Sequence, residues 1–408
     1  MKPLGPIPDG FAAIEGELAI GGRKCSALVE AAGGTPLFVY SADRIRQRMA
    51  ELRAAMPQQL RIHYAMKANA YASLLELMGT LVDGFDIASQ GELAMALAAG
   101  LPADRVSFAG PGKRDSELTA AIVAGVTLNL ESENEARRAL EIGERHGVTP
   151  RLAIRVNPDF ELRGSGMKMG GGAKPFGLDA ERVAPLAREI IAARAEWRGF
   201  HIFTGSQALD SGAIAETQAN VLNLAAELAE ATDHPLPRLN MGGGFGIPYF
   251  NGDQPLDVTA VGAALSERFA ALPDALASTE FAIELGRYLV GEAGVYLTRI
   301  VDRKESHGAT FLITDGGLHH QLAASGNFGT VVRRNYPAAI ASKFAEPPSE
   351  EASVVGCLCT PLDRLADQAL LPRADVGDLV AIFCAGAYGA SASPSAFLGQ
   401  GPAREMLV

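Results

Sequence analysis

One repeated pairing restricts this chain more than any other feature: a short apolar run followed by a longer helical stretch. The runs fall at 60–66, 85–89, 106–109, 126–130, 152–156, 199–204, 238–241 and 281–285. The stretches between them, at 89–99, 116–124, 133–146, 180–197, 213–231 and 258–277, carry Ala, Leu, Glu and Arg at helical spacing. Strand alternating with helix predicts a parallel sheet. Eight such units in roughly 240 residues fit a (β/α)8 barrel, with a doubly wound sheet as the structural rival. The rhythm stops near residue 294. Beyond it, short β-type runs at 295–302, 310–314, 354–359 and 379–384 are separated by Gly, Pro and polar residues, which predicts an antiparallel β domain of sandwich or barrel type. The short alternating segment 11–32 can join it. The expected division is a barrel over 36–293 and a β domain made from 1–35 and 294–408.

Composition removes several alternatives. At 408 residues the chain is too long for one ordinary core, and 48% hydrophobic residues supply ample apolar material without a run long enough to span a membrane. A net charge of -11 with no Lys/Arg block gives no support for nucleic-acid or anionic-membrane binding. The start, MKPLGPIPDGF, lacks the apolar core of a secretory signal. Cys25, Cys357, Cys359 and Cys384 do not form a disulfide framework or a C-x-x-C pair, so a reduced, cytoplasmic protein is expected.

The chemically unusual residues gather where the predicted strands end. These ends read HYAMKAN (63–69), DIAS (86–89), RVNP (155–158), HIFTGS (201–206), GGGFG (242–246) and ELGR (284–287). In a barrel all of them converge on one mouth, where active sites are built. Lys67 is either a lysine snorkelling from a strand edge or, in a desolvated mouth, an amine nucleophile. The glycines at 242–246 are either a tight turn or a cradle of backbone N–H groups for an anion. Glu284 in the mouth requires a partner. Cys359 reads equally as a small buried hydrophobe. The glycine-rich segment 164–174 has the length of a lid or binding loop.

Taken in order, YAMKAN, FDIASQGE, GPGK, RVNP, GSQ, GGGFG, ELGR, a Gly-x-x-Cys segment and GAYG resemble the fold-type III pyridoxal-phosphate decarboxylases, the group of diaminopimelate and ornithine decarboxylases. The resemblance runs from about residue 37 to the C-terminus. It implies an alanine-racemase-like barrel with a C-terminal β domain, pyridoxal 5'-phosphate as cofactor, and a homodimer with active sites at the subunit interface. It implies that Lys67 holds the cofactor covalently through its amine, that Gly243, Gly244 and Ser206 contact the phosphate with Arg287 and Tyr388, and that Asp86 and Arg155 lie near the ring. Glu284 would pair with the pyridine nitrogen, and Cys359 of the partner subunit would be the acid that returns a proton after carbon dioxide leaves. A carboxylate at the ring nitrogen, rather than the arginine of the racemases, argues for decarboxylation over racemisation. The retained Lys67, Glu284, glycines and Cys359 argue against a catalytically dead homologue that only binds.

The chain departs from the pattern in places that bear on substrate. Phe203 stands where the family has a histidine stacked on the cofactor, and its ring can still stack. Thr360 follows Cys359 where an acidic residue is usual, and Ala323 falls about where an arginine would grip a distal carboxylate. Thr360, Asp363 and His320 are the candidate substrate residues. Without a countercharge for a distal ammonium, neither diaminopimelate nor ornithine is the expected substrate. The expectation is an amino acid or amino-acid derivative, and the resemblance to family members with similar departures implies that it can be attached to a carrier protein. A metal at His319 and His320 is not expected, because adjacent histidines on a strand point to opposite faces.

Overall fold

The structure is a computed structural model and describes residues 1–326 and 334–408. It divides into two compact units, one of residues 49–246 and 255–286 and one of residues 1–48, 247–254 and 287–408.

The first unit is a closed barrel of eight parallel strands, each predicted run having become one. They are β1 (Arg61–Ala65), β2 (Gly84–Ile87), β3 (Val106–Phe108), β4 (Thr127–Leu130), β5 (Arg151–Asn157), β6 (Glu196–Ile202), β7 (Arg238–Asn240) and β8 (Glu280–Leu285). β8 closes onto β1, with Glu284 opposite His63 and Leu285 opposite Tyr64. Residues of β2 and β4 are buried throughout, as strands covered on both faces must be. Helix starts follow strand ends closely because a capping side chain sits there. Ser89 accepts from the Glu92 amide just past β2, and Ser132 accepts from the Glu135 amide just past β4. The predicted helix over 180–197 ends early, at Ala192, and the chain turns through Arg194 at φ 60° to begin β6. Among the described residues no helix is long and apolar enough to cross a membrane.

The second unit is built on one long strand, β9 (Gly294–Ser306). The first half of β9 is buried and pairs antiparallel with Leu37–Tyr40 on one side and Leu379–Ile382 on the other. Its second half pairs antiparallel with Ala309–Thr314. The expected purely antiparallel domain is corrected here to a mixed sheet. Ala309–Thr314 runs parallel to Glu350–Val355, and Arg404–Leu407 runs parallel to Leu37–Tyr40. The strand Leu37–Tyr40 therefore lies in this unit rather than in the barrel. Its core includes Leu18, Leu28, Val39, Val295 and Phe383.

Candidate active site

The C-terminal ends of the barrel strands surround a cavity of about 230 Å³ lined by Lys67, Asp86, Arg155, His201, Phe203 and Glu284. Lys67 sits on a single tight turn, Met66–Ala68, that ends β1. Its amine lies 5.4 Å from the centre of the Phe203 ring. The side chain is exposed in the mouth.

Glu284, on β8, is buried, and its Oε2 lies 3.0 Å from His201 Nε2 and 3.4 Å from Asn240 Nδ2. Register explains the meeting: His201 on β6 is level with Asn240 on β7, which is level with Ala282 on β8. Burial by itself would raise the Glu284 carboxyl. The charge and hydrogen bond of His201 outweigh it, with Lys67 and Arg155 adding to the effect, and the group is held down at about 2. A buried anion is thus kept ionised in the cavity floor.

Two further pairs orient the wall. Asp86 Oδ2 is 3.0 Å from His63 Nδ1, and its other oxygen is buried without a partner. Arg155 donates to Glu131 over 2.9 Å and lies 5.0 Å from the Phe176 ring centre. Burial opposes ionisation of Glu131, but the charges of Arg155 and Lys113 and the Gly177 amide hold its carboxyl below the usual range.

The glycines after β7 have a steric reason. A Cβ on Gly243 would stand 1.9 Å from the Glu284 carbonyl oxygen, and one on Gly244, at φ 89°, would stand 2.6 Å from that of Gly205. The run therefore packs backbone against backbone beside Gly205–Ser206, and Ser206 Oγ is buried with no partner among the described residues. The glycine-rich segment is pinned in part, since Met167–Lys168 pairs antiparallel with Gly205–Ser206.

The remaining sequence candidates lie in the second unit. The Arg287 guanidinium is 4.7 Å from the Tyr388 ring centre and donates to Tyr249 Oη over 2.6 Å. Tyr388 takes φ 58°, a conformation bulky residues seldom adopt. Cys359 is exposed, and Thr360 beside it is partly exposed. Two of the candidate substrate residues make hydrogen bonds within the unit. His320 uses both ring nitrogens inside the unit, each at 3.0 Å, toward Tyr296 Oη and the Gly401 carbonyl. Asp363 is buried and accepts the Leu318 amide at 2.6 Å and the Leu358 amide at 2.9 Å. Both side chains thereby hold loops of the unit in place. The stated reason against a histidine metal pair also fails: His319 and His320 lie in a turn, not a strand, with ring centres 3.8 Å apart. Replacing Asp363 with Ala leaves two buried amides unsatisfied and should lower unfolding free energy by about 2–4 kcal/mol, read from the denaturant midpoint.

Sequence reasoning gave no role to His201, Asn240, Glu131 or His63. The available signal was a polar residue inside an otherwise apolar strand: His63 in RIHYA and His201 in EWRGFHI.

Comparison with known proteins agrees with this geometry. Residues 42–291 match the family model for the pyridoxal-dependent decarboxylase pyridoxal binding domain. The chain is 35% identical to the L-glutamyl-[BtrI acyl-carrier protein] decarboxylase of Niallia circulans, over 91% of this chain and 88% of that protein. It is 30% identical to the 2-[(L-alanin-3-ylcarbamoyl)methyl]-2-hydroxybutanedioate decarboxylase of Staphylococcus aureus, over 88% of this chain and 91% of that protein. Among solved structures, the diaminopimelate decarboxylase of M. jannaschii superposes with a TM-score of 0.87 at 27% identity, covering 98% of this chain and 92% of that one. With the motifs, the closed barrel and the family match in agreement, the chain belongs to the pyridoxal-dependent decarboxylases.

Proposed function

We propose that this pyridoxal-phosphate decarboxylase acts on an amino-acid derivative, one whose distal end carries neither the free ammonium nor the free carboxylate of diaminopimelate, and that Lys67, Glu284 and Cys359 carry the chemistry. The observation that bears most of the weight is the single cavity in which Lys67, Phe203, Asp86, Arg155 and an ionised Glu284 face one another. The residues fit the cofactor. Ser206 Oγ is a buried donor without a partner among the described residues, beside a glycine run packed too closely for any side chain, as a phosphate site needs. When bound there, pyridoxal phosphate supplies the electron sink that makes loss of carbon dioxide feasible.

The chain's own groups have separate tasks. The Lys67 amine holds the cofactor and expels product. Glu284 keeps a negative charge where the ring nitrogen is to retain its proton, and His201 keeps that charge in place. Phe203 offers an apolar face beside the amine. Gly243, Gly244 and Ser206 take the phosphate, while Asp86 and Arg155 orient the ring. Arg287 and Tyr388 are assigned to the same phosphate by the family motifs. On the same basis the Cys359 thiol of a second copy donates the proton that replaces the lost carboxyl at the α-carbon.

The substrate reading rests on Thr360 and Ala323, neither of which can pair a charge. The relatives named for a carrier-bound glutamyl group and for an alanyl-carbamoyl compound both act on amino acids joined through an acyl or amide linkage. We expect carbon dioxide release from a carrier-bound or amide-linked amino acid to exceed that from meso-diaminopimelate or ornithine by at least about a hundredfold in kcat/KM, the scale of one missing buried charge partner. Efficient formation of lysine from meso-diaminopimelate would overturn the assignment.

A further inference from the structure

The other end of the barrel holds a second cavity, of about 360 Å³, and its wall is rich in arginine. Arg61, Arg151 and Arg238 open β1, β5 and β7, Arg105 directly precedes β3, and Arg198 lies near the start of β6. Five guanidinium groups face three carboxylates, those of Asp83, Asp104 and Glu280, an excess of two positive charges. Groups just off the wall do not change that balance: Glu196 pairs with Arg151 and Arg198, and Arg53 pairs with Asp83. A chain with a net charge of -11 has no general basic surface of which this concavity would be one sample.

The pairing inside the cavity is also incomplete. Arg105 donates only to the neutral carbonyls of Val82 and Asp83. Arg61 reaches carboxylate oxygens only at 3.4 and 3.8 Å. One oxygen of Glu196 serves both Arg151 and Arg198, each at 3.1 Å. Arg198 Nε is buried with no partner among the described residues. Burial first, and the neighbouring Arg238 and Arg151 second, depress the Arg198 guanidinium below its ordinary value. A network serving only to close the barrel would pair its charges and satisfy its buried donors.

We propose that this cavity is a binding site for a phosphate-class dianion, either inorganic phosphate or the phosphate of a small phosphomonoester. Planar guanidinium forks arriving from several strands match a tetrahedral oxyanion, and a dianion cancels the excess charge. The site lies at the N-terminal ends of the strands, so it is separate from the cofactor phosphate at the C-terminal ends.

The test uses holoenzyme reduced with borohydride, so that the cofactor stays in place and its own phosphate site is filled. Thermal unfolding is followed in phosphate-free buffer with added inorganic phosphate or glycerol 3-phosphate, each against sodium chloride at matched ionic strength. A saturable rise in Tm in the millimolar range, beyond that with chloride, is expected. A response to inorganic phosphate alone identifies the free ion; an equal or stronger response to glycerol 3-phosphate identifies a phosphomonoester. Arg198→Gln should weaken the apparent affinity about tenfold. Arg61→Gln, on a more exposed side chain, should weaken it about threefold and decides the matter if the first variant does not fold. A response no larger than that to chloride, or unchanged affinity in the folded variants, overturns the proposal.

Discussion

Replacing Lys67 with Ala should yield a folded protein that no longer retains pyridoxal phosphate covalently and whose turnover falls by at least about a thousandfold. The two halves of that expectation come from different observations. Lys67 is exposed on a turn at the end of β1, so its loss opens no core cavity. Unfolding temperature should therefore stay close to that of the parent. The amine nevertheless belongs to the cavity lining, 5.4 Å from the Phe203 ring, and Glu284 lines the same cavity. Among the described residues no other lysine lines that cavity. The readouts are visible absorbance of the purified protein, its bleaching by borohydride, and carbon dioxide release. Lys67→Arg should behave like Lys67→Ala, because charge alone does not replace a primary amine. A Lys67→Ala protein that remains coloured, bleaches with borohydride and turns over would remove Lys67 from the assignment.

Why the barrel was legible in the sequence and parts of the site were not is a matter of distance along the chain. Strands buried on both faces must be short apolar runs, so β1 to β8 announce themselves locally. The strand-end residues Lys67, Asp86, Arg155, Phe203 and Glu284 follow once the barrel is accepted, since every strand delivers its end to the same mouth. What holds those residues is not local. His201 reaches Glu284 only because β6, β7 and β8 are in a register that no single segment encodes. Glu131 is 24 positions from Arg155, and His63 is 23 from Asp86. In the second unit, alternation marks strands but not their direction, so the parallel pairing of Ala309–Thr314 with Glu350–Val355 could not be read. The segment after Asp315 looked like strand. Asp363, from a distant loop, takes the Leu318 amide, and the His320 backbone amide donates to the Gly317 carbonyl, which bends the chain and brings the two histidine rings together.

Glu284→Gln should separate charge from shape at the same site. The amide is nearly isosteric and can keep a hydrogen bond to His201, so cofactor retention and KM should change little. kcat should fall by about a hundredfold or more if, as proposed, Glu284 supplies the fixed negative charge that would stabilise a protonated ring nitrogen. Glu284→Ala also strands the buried His201 Nε2 and Asn240 Nδ2, and should cost about 2–4 kcal/mol of stability in addition. The pH dependence has a definite sign. Against the pull of burial, His201 holds the Glu284 carboxyl at about 2, below its ordinary value of 4.5. A carboxyl depressed on folding contributes stability that is fully present above the unfolded value and is lost as pH falls through the folded one. The stability difference between the parent and Glu284→Gln should therefore be constant above about pH 5 and move steadily in favour of the variant as pH drops from 4.5 toward 2. Urea unfolding of both proteins at successive pH values measures it. A pH-independent difference, or a variant with parental kcat, would show that the ionised carboxylate is not what the cavity is built to hold.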